Sequence, residues 1–235
     1  MSYSKRQTAD DLLADLVRKP DYLNRQRDRM EQREDNRRHY AEAAAGLLDD
    51  LRAAGVEVKT LAELRRRRPD TKDVVPVLAK WLPKARYLPL KRDIIATMGS
   101  SWARPEASRP LLEEFHRLDP TLDKPGGMRW SIGDALERVA DETVLDDLIA
   151  IATDRRYGRD RQLVVASLGN MVRAKERAVP VLLDLLDDEE VAPYAVMGLG
   201  KLRVHEARTA IQSFVDHPEA WVRSEAKKAL ARLSS

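Results

Sequence analysis

The chain has 235 residues, a formal net charge of +3 and 43% hydrophobic residues, but only 5% aromatic ones. Charged residues at 34% and only 10 glycines favour helix, because long charged side chains and alanine lose little freedom in a helix, whereas glycine resists it. The absence of cysteine excludes disulfides, thiolate zinc sites, iron–sulfur ligation and cysteine nucleophiles.

The N-terminal sequence MSYSKRQTADDLLADL carries charge from its first residues and has no apolar stretch of signal-peptide length. The longest apolar runs elsewhere, such as Val74–Ala79, which Pro76 interrupts, are too short to span a bilayer. We therefore expect a cytoplasmic protein without a membrane-spanning segment.

The first 72 residues read as helices that do not repeat. Asp10–Lys19 predicts a short amphipathic helix that ends before Pro20, and Asp21–Ala54 predicts one long helix that ends at Gly55. The sequence VEVKTLAEL then predicts a short extended or turn element and one more helical turn, which ends in RRRRPD. We interpret residues 1–72 as an N-terminal helical cap that also extends the surface.

From residue 73 onward, short segments recur at a nearly fixed spacing. VVASLGNM, AVMGLGKL and KKALARL place a leucine at Leu168, Leu199 and Leu230, two steps of 31 residues. Leu136 precedes Leu168 by 32 residues, and Met98 precedes Leu136 by 38. The extra residues coincide with the turn-rich sequence DPTLDKPGGM. This periodicity predicts a repeat architecture over residues 73–235.

Two helices fit into each repeat. Apolar residues at helical spacing mark one helix, and Pro76, Pro110 and Pro180 are predicted to open three of these helices, since a first-turn amide has no partner to lose. The alternate helices contain glycine, at Gly99, Gly169, Gly198 and Gly200. Because glycine lowers helix propensity, its presence there predicts close approach between helices. Neither helix can bury its apolar face alone, so neighbouring pairs must stack.

This pattern resembles HEAT repeats, particularly the short bacterial kind in which an Asp-containing loop leads to Val-Arg and then to an Ala-Leu helix. DHPEAWVRSEAKKALARL at Asp216–Leu233 carries the resemblance, and DRRYGRDRQLVVASLG at Asp154–Gly169 carries it more loosely. The sequence departs from it at Val191–Pro193, where the arginine is missing, and the first two repeats match only in their apolar skeleton. The resemblance implies a right-handed α-α superhelix, a HEAT-like solenoid, over residues 73–235 with the N-terminal cap before it.

The resemblance also suggests roles for several polar residues. Arg161 and Arg223 follow Asp154 and Asp216 by seven residues. HEAT repeats use such Asp and Arg residues as ladders between successive loops, and we prefer this structural role to ligand binding.

Tryptophans suggest a second comparison, because HEAT-like DNA glycosylases line a cleft with aromatic residues and a carboxylate. Trp130 and Asp134, one helical turn apart, would be the counterparts. Against this function, such glycosylases need a strongly basic concave face, whereas residues 130–235 hold 15 basic and 18 acidic side chains. Similar short repeats also occur in phycobilin lyases, but no pocket signature supports a chromophore here.

Arginine provides the remaining signal. Arg25, Arg29, Arg33 and Arg37 recur every four residues along the long predicted helix and form a slowly drifting stripe on one face. Acidic residues interleave with them, and Glu34 and Arg38 have the favourable i, i+4 order, so a solvated, salt-bridged helix is the simpler interpretation. The stripe lies in a region of positive charge, since residues 1–72 hold 17 basic and 14 acidic residues.

No catalytic constellation, metal-ligand spacing or phosphate loop occurs in the sequence, so we expect no catalytic residue, no metal and no cofactor. The first hypothesis is therefore a non-enzymatic scaffold that binds another protein. The alternative is a nucleic-acid-binding HEAT-like protein, including a glycosylase-like role, that uses the basic N-terminal half. Candidate partner-binding residues are Arg25, Arg29, Arg33, Arg37, Trp130 and Asp134.

Overall fold

The computed structural model describes residue 8 and residues 20–67, 69–119 and 127–234. Within these residues every regular element is a helix and none is a strand, which confirms the all-helical prediction. The predicted helix Asp10–Lys19 and most of the turn-rich insertion around Pro125 lie outside the described residues.

Two compact units divide the chain, Met1–Ala45 and Gly46–Ser235. The long helix α1 (Pro20–Ala53) crosses this division and matches the predicted one closely. It ends just before Gly55, whose φ of +83° is the left-handed conformation that favours glycine at a helix end. The predicted division into a cap of residues 1–72 and repeats of residues 73–235 stays a prediction.

The short helix α2 (Leu61–Arg67) and five helix pairs follow in the described part of the second unit. We call the first helix of each pair the A helix and the second the B helix. The A helices are α3 (Thr71–Trp81), α5 (Ser108–Arg117), α7 (Leu145–Thr153), α9 (Lys175–Asp184) and α11 (Arg208–Gln212). The B helices are α4 (Leu88–Met98), α6 (Met128–Val139), α8 (Gln162–Ser167), α10 (Ala192–Lys201) and α12 (Ala220–Arg232).

Each B helix packs against the next B helix along the chain, from α4 through α12. The repeating positions Met98, Leu136, Leu168 and Leu199 are all fully buried in or beside this row. Leu230, the fifth member of the register, is only half-buried, because no described helix packs beyond α12. The second unit is therefore a helical repeat solenoid, as the period predicts.

Small residues bring the B helices together. A Cβ atom added to Gly200 would lie 2.5 Å from the Cβ of Ala229, and one added to Gly99 would lie 2.9 Å from the Cβ of Ala135. Real Cβ atoms do not approach so closely, so only glycine fits at these helix contacts. The predicted reason for glycine in these helices is confirmed.

The predicted helix starts at two prolines are wrong. Pro76 and Pro180 lie inside α3 and α9, each as the sixth residue of its helix, whereas Pro110 lies in the first turn of α5 as expected. The side chain of Asp70 caps α3 well before its proline. Both internal prolines are exposed, so each helix loses one hydrogen bond on its solvent side while its apolar face stays continuous.

Candidate functional site

Two concave, solvent-facing sites at opposite ends of the B helices differ in charge. We call the site at the N-terminal ends of α8, α10 and α12 the aromatic groove. Its lining includes Arg159, Glu189, Glu190, Tyr194, Glu219 and Trp221. We call the site at the C-terminal ends the basic pocket, and its cations are Arg104, Lys201, Arg203 and Arg232.

The aromatic groove is built around Tyr194 and Trp221, whose ring centroids lie 5.5 Å apart at an interplanar angle of 49°. Tyr194 is in the first turn of α10 and Trp221 in the first turn of α12, so adjacent repeats bring the two rings together. Trp221 is 41% exposed, and its indole N–H donates a hydrogen bond to the Glu219 carboxylate. An aromatic face is thus presented to solvent beside an acidic group.

Three exposed carboxylates, Glu189, Glu190 and Glu219, line the same groove of about 450 Å³, and Arg159 is the single arginine among its lining residues. Glu190 also forms an ion pair of 3.5 Å with the buried Arg161, so Glu189 and Glu219 contribute most of the negative charge. Burial raises the pKa of the Tyr194 phenol, and the negative charge of Glu219 adds to the shift. Negative charge beside aromatic rings attracts cations, through the carboxylates and through the ring faces. The groove is therefore suited to a positively charged group.

A buried ion pair holds the loops below the groove. Arg161 is 1% exposed, and it donates hydrogen bonds to Asp188 at 2.7 Å and to the main-chain carbonyl of Ala152 at 3.0 Å. Asp188 lies in the loop of the following repeat and also accepts a hydrogen bond from the main-chain N–H of Glu190. Arg161 therefore joins two successive loops.

The predicted ladder role agrees with these contacts at Arg161, although its partner is Asp188 and not Asp154. Asp154 instead binds the side chain and main-chain N–H of Arg156, and this pairing holds the pKa of Asp154 below its ordinary value. Arg223, in the last repeat, donates to the main-chain carbonyls of its own loop, at 2.7 Å to His217.

A second ladder runs along the C-terminal ends of the B helices. Arg138 donates to the main-chain carbonyl of Gly99 at 2.9 Å, and Asn170 donates to that of Glu137 at 2.6 Å. Lys201 continues the series with a hydrogen bond of 3.2 Å to the Asn170 amide oxygen and an ion pair with Glu137. Each member thus binds the preceding repeat, and the basic pocket lies where the series ends.

The structure gives Trp130 and Asp134 little resemblance to a catalytic pair. Trp130 is half-buried in the first turn of α6, and both carboxylate oxygens of Asp134 accept hydrogen bonds from Arg138. Neither residue lines the aromatic groove or the basic pocket. Their proposed part in partner binding stays a prediction.

The four arginines of the predicted stripe are all exposed on α1. Arg25 donates to the main-chain carbonyl of Asp21 at 3.1 Å, and Arg37 forms an ion pair with Glu34 at 3.4 Å. Arg29 and Arg33 form no ion pair with any described residue. Arg38 forms its ion pair with Asp35, three residues earlier, and not with the predicted partner Glu34, four residues earlier. Residues three apart and residues four apart are both neighbours on a helix surface, so the sequence alone does not decide between them.

The sequence reasoning missed both concave sites. The net charge of −3 for residues 130–235 averages the acidic loops before α10 and α12 with the basic C-terminal ends of these two helices. A charge count taken separately over the loop before each B helix and over the last turn of that helix would have indicated this difference in charge, but not which residues the stacked repeats bring together.

Among the described residues, no group of three or more His, Asp or Glu side chains is placed to hold a metal ion. None of the described helices combines the length and the apolar character that crossing a membrane requires.

The sequence matches no protein-family model and no curated protein. Similar solved structures include an engineered protein with 19% identity, which covers 74% of this chain and 87% of its own, at a TM-score of 0.43. A designed armadillo repeat protein shares 15% identity over 80% of this chain and 99% of its own, at a TM-score of 0.42. Another, solved with the peptide (KR)4, shares 15% identity over 93% of this chain and 97% of its own, at a TM-score of 0.46. This degree of similarity identifies neither a family nor a function.

Proposed function

We propose that the chain is a non-enzymatic, protein-binding repeat scaffold of the HEAT type, and that the aromatic groove holds a segment of its partner. The observation that carries the proposal is the contact between the exposed Trp221 and the half-buried Tyr194, flanked by three exposed carboxylates. A cytoplasmic location remains a prediction.

Exposed aromatic residues in a concavity are typical of the residues that dominate protein interfaces. Trp221 offers a large rigid surface with one polar atom, and Glu219 already fixes the orientation of its indole. Residues of three successive repeats line the groove, so an extended segment of a partner can contact all three repeats at the N-terminal ends of their B helices. The carboxylates favour a partner segment with a basic side chain over one with an acidic side chain.

The groove is also supported rigidly from below. Arg161 joins the loop before α8 to the loop before α10 through its hydrogen bond to Asp188. Glu190, which lines the groove, is two residues after Asp188 and donates its main-chain N–H to the Asp188 carboxylate. A surface that needs no rearrangement loses less entropy when a partner binds. This support favours the groove as a binding surface.

The experiment compares three full-length proteins as affinity baits in the native host: wild type, Trp221→Ala and Leu88→Ala. Leu88 is a matched control, since it is an exposed apolar residue in the first turn of α4 and lies outside the groove. A candidate partner is then purified, and its affinity for each bait is measured by calorimetry.

We expect wild type and Leu88→Ala to bind the partner alike, and Trp221→Ala to bind it at least about 30-fold more weakly, the usual effect at an interface hot spot. A purified partner that binds Trp221→Ala as tightly as wild type would show that the groove is not the docking surface. Acidic partner segments that bind there better than basic ones would contradict the charge argument.

A second candidate function is nucleic-acid binding through the arginine stripe. The observation in its favour is the exposure of all four arginines and the lack of a described carboxylate partner for Arg29 and Arg33. Such side chains are free to contact phosphates, although the interleaved acids reduce the local potential.

A further inference from the structure

The basic pocket has a volume of about 440 Å³ and opens to solvent. Its cations come from three parts of the second unit: the loop after α4, the end of α10 with the residue beyond it, and the end of α12. Gly169, Asn170 and the exposed Val172 complete the lining.

Three of the four cations have no carboxylate partner among the described residues. Lys201 is neutralised by its ion pair with Glu137. Arg104 donates a hydrogen bond of 2.7 Å to a main-chain carbonyl, and Arg203 and Arg232 form no described ion pair. The pocket therefore concentrates uncompensated positive charge, although residues 130–235 are acidic on average.

Helix stability accounts for only part of this arrangement. Lys201 and Arg232 occupy the last turns of α10 and α12, where a cation interacts favourably with the free carbonyls and the helix dipole. Arg104 and Arg203 lie outside the helices, so neither the last turn nor the dipole explains them.

Arg203 occupies a position at which glycine is favoured. It follows α10 with a φ of +52°, while the N–H of Val204 donates to Leu199 at 3.1 Å and that of Arg203 to Gly200 at 3.3 Å. This is the Schellman helix end, and α1 ends in the same way with Gly55 at the corresponding position. An arginine there strains the backbone and places a guanidinium at the pocket, which indicates a use for the side chain.

We infer that the basic pocket binds a di- or triphosphate group. Guanidinium groups form paired hydrogen bonds with phosphate oxygens, and three of the four cations are arginines. A single phosphate carries a charge of about −2, which is less than the three uncompensated cations can balance. Cations spread around a pocket of about 440 Å³ fit a short chain of phosphates better than one oxyanion. This inference does not depend on the aromatic groove.

The test is calorimetric titration of the full-length protein with sodium tripolyphosphate, at low and at physiological salt. The variants are Arg203→Gly and Arg232→Ser. The control is Arg177→Ser, which removes an exposed arginine of α9 that pairs with Asp146 outside the pocket. Thermal unfolding of each protein without ligand is measured in parallel.

We expect Arg203→Gly and Arg232→Ser each to weaken tripolyphosphate binding about tenfold, and the control to change it less than about twofold. Arg203→Gly should also raise Tm, because glycine relieves the left-handed strain. Weaker binding by a more stable protein cannot result from a damaged fold.

Three outcomes would overturn the inference: no binding by wild type at low salt, an equal loss in Arg177→Ser, or unchanged binding by both pocket variants. ATP serves as a second probe, and the same dependence on Arg203 and Arg232 would confirm recognition of the phosphate chain. If duplex DNA binds through these two residues and tripolyphosphate does not, the ligand is a nucleic acid and the inference is wrong.

Discussion

Gly169, in the 3-10 turn that follows α8, lies so close to Gly198 of α10 that a Cβ atom added to Gly169 would lie 2.6 Å from the Cα of Gly198. The neighbouring atom belongs to the backbone and cannot rotate away. The two glycines therefore set the separation between these repeats, and with it the spacing of the loops that build the aromatic groove.

Gly169→Ala should lower the free energy of unfolding by about 1 to 3 kcal/mol, because the helices must separate to admit the methyl group. Gly133→Ala is the matched control, since an added Cβ would lie 3.4 Å from its nearest neighbour, an ordinary contact. That substitution should leave stability unchanged or raise it by up to about 1 kcal/mol, because alanine favours helix. Urea unfolding measures both, and a destabilised Gly133→Ala would refute the steric explanation.

Asp188 should make the fold sensitive to acid. Burial tends to raise the pKa of its carboxyl, but the hydrogen bond and positive charge of Arg161 outweigh this effect, so the pKa lies below its ordinary value of 3.8. Between the folded and unfolded pKa values the unfolded chain binds more protons. The contribution of Asp188 is therefore fully present above the unfolded pKa, about 3.9, and is lost as pH falls through the folded pKa.

Asp188→Asn separates this effect from general acid denaturation. At neutral pH the variant should be less stable by about 3 to 5 kcal/mol, because Arg161 stays buried without its nearest carboxylate and keeps only the longer ion pair with Glu190. Its unfolding free energy should then fall less steeply than that of wild type as the pH is lowered below about 4. Equal slopes in urea titrations over this pH range would exclude Asp188 as the responsible group.

The sequence predicted the repeat fold because its apolar residues recur with the helical period and because glycine marks the helix contacts. Leu168 and Leu199 are buried at the predicted seam, as is Met98. The starts of α3 and α9 were not predictable from Pro76 and Pro180, since proline is also tolerated on an exposed helix face.

The two concave sites could not be predicted in the same way. Arg104, Lys201 and Arg232 are far apart in the sequence, and only the stacking of the repeats brings them to one edge. Trp221 is one of four tryptophans in the sequence, and its contact with Tyr194, one repeat earlier, follows only from the placement of α10 beside α12. Sites made by contacts between repeats require the relative placement of the helices, which periodicity alone does not give.

The repeat register makes a further stability prediction. Leu168→Ala and Leu199→Ala should each lower the free energy of unfolding by about 2 to 5 kcal/mol, because both side chains are fully buried. Val172→Ala is the control: its side chain is 69% exposed, and its loss should change stability by less than about 0.5 kcal/mol. Effects below about 1 kcal/mol at both leucines would show that the register is wrong.

Substitution of the arginine stripe tests the second candidate function, nucleic-acid binding. We expect at most weak nucleic-acid binding that salt abolishes, because Asp28, Glu31, Glu34 and Asp35 lie among the arginines. If all four arginines contact phosphates, the logarithm of the binding constant should fall with the logarithm of salt concentration with a slope of about −3 to −4. Replacing Arg25, Arg29, Arg33 and Arg37 by serine should then flatten the slope by a similar amount. Fluorescence anisotropy with duplex DNA and RNA at several salt concentrations measures this slope.

A quadruple Arg→Lys variant is the control, since it keeps the charge and should bind phosphates almost as well. Tight wild-type binding that persists at physiological salt, survives in the lysine variant and disappears in the serine variant would favour nucleic-acid binding over the protein scaffold.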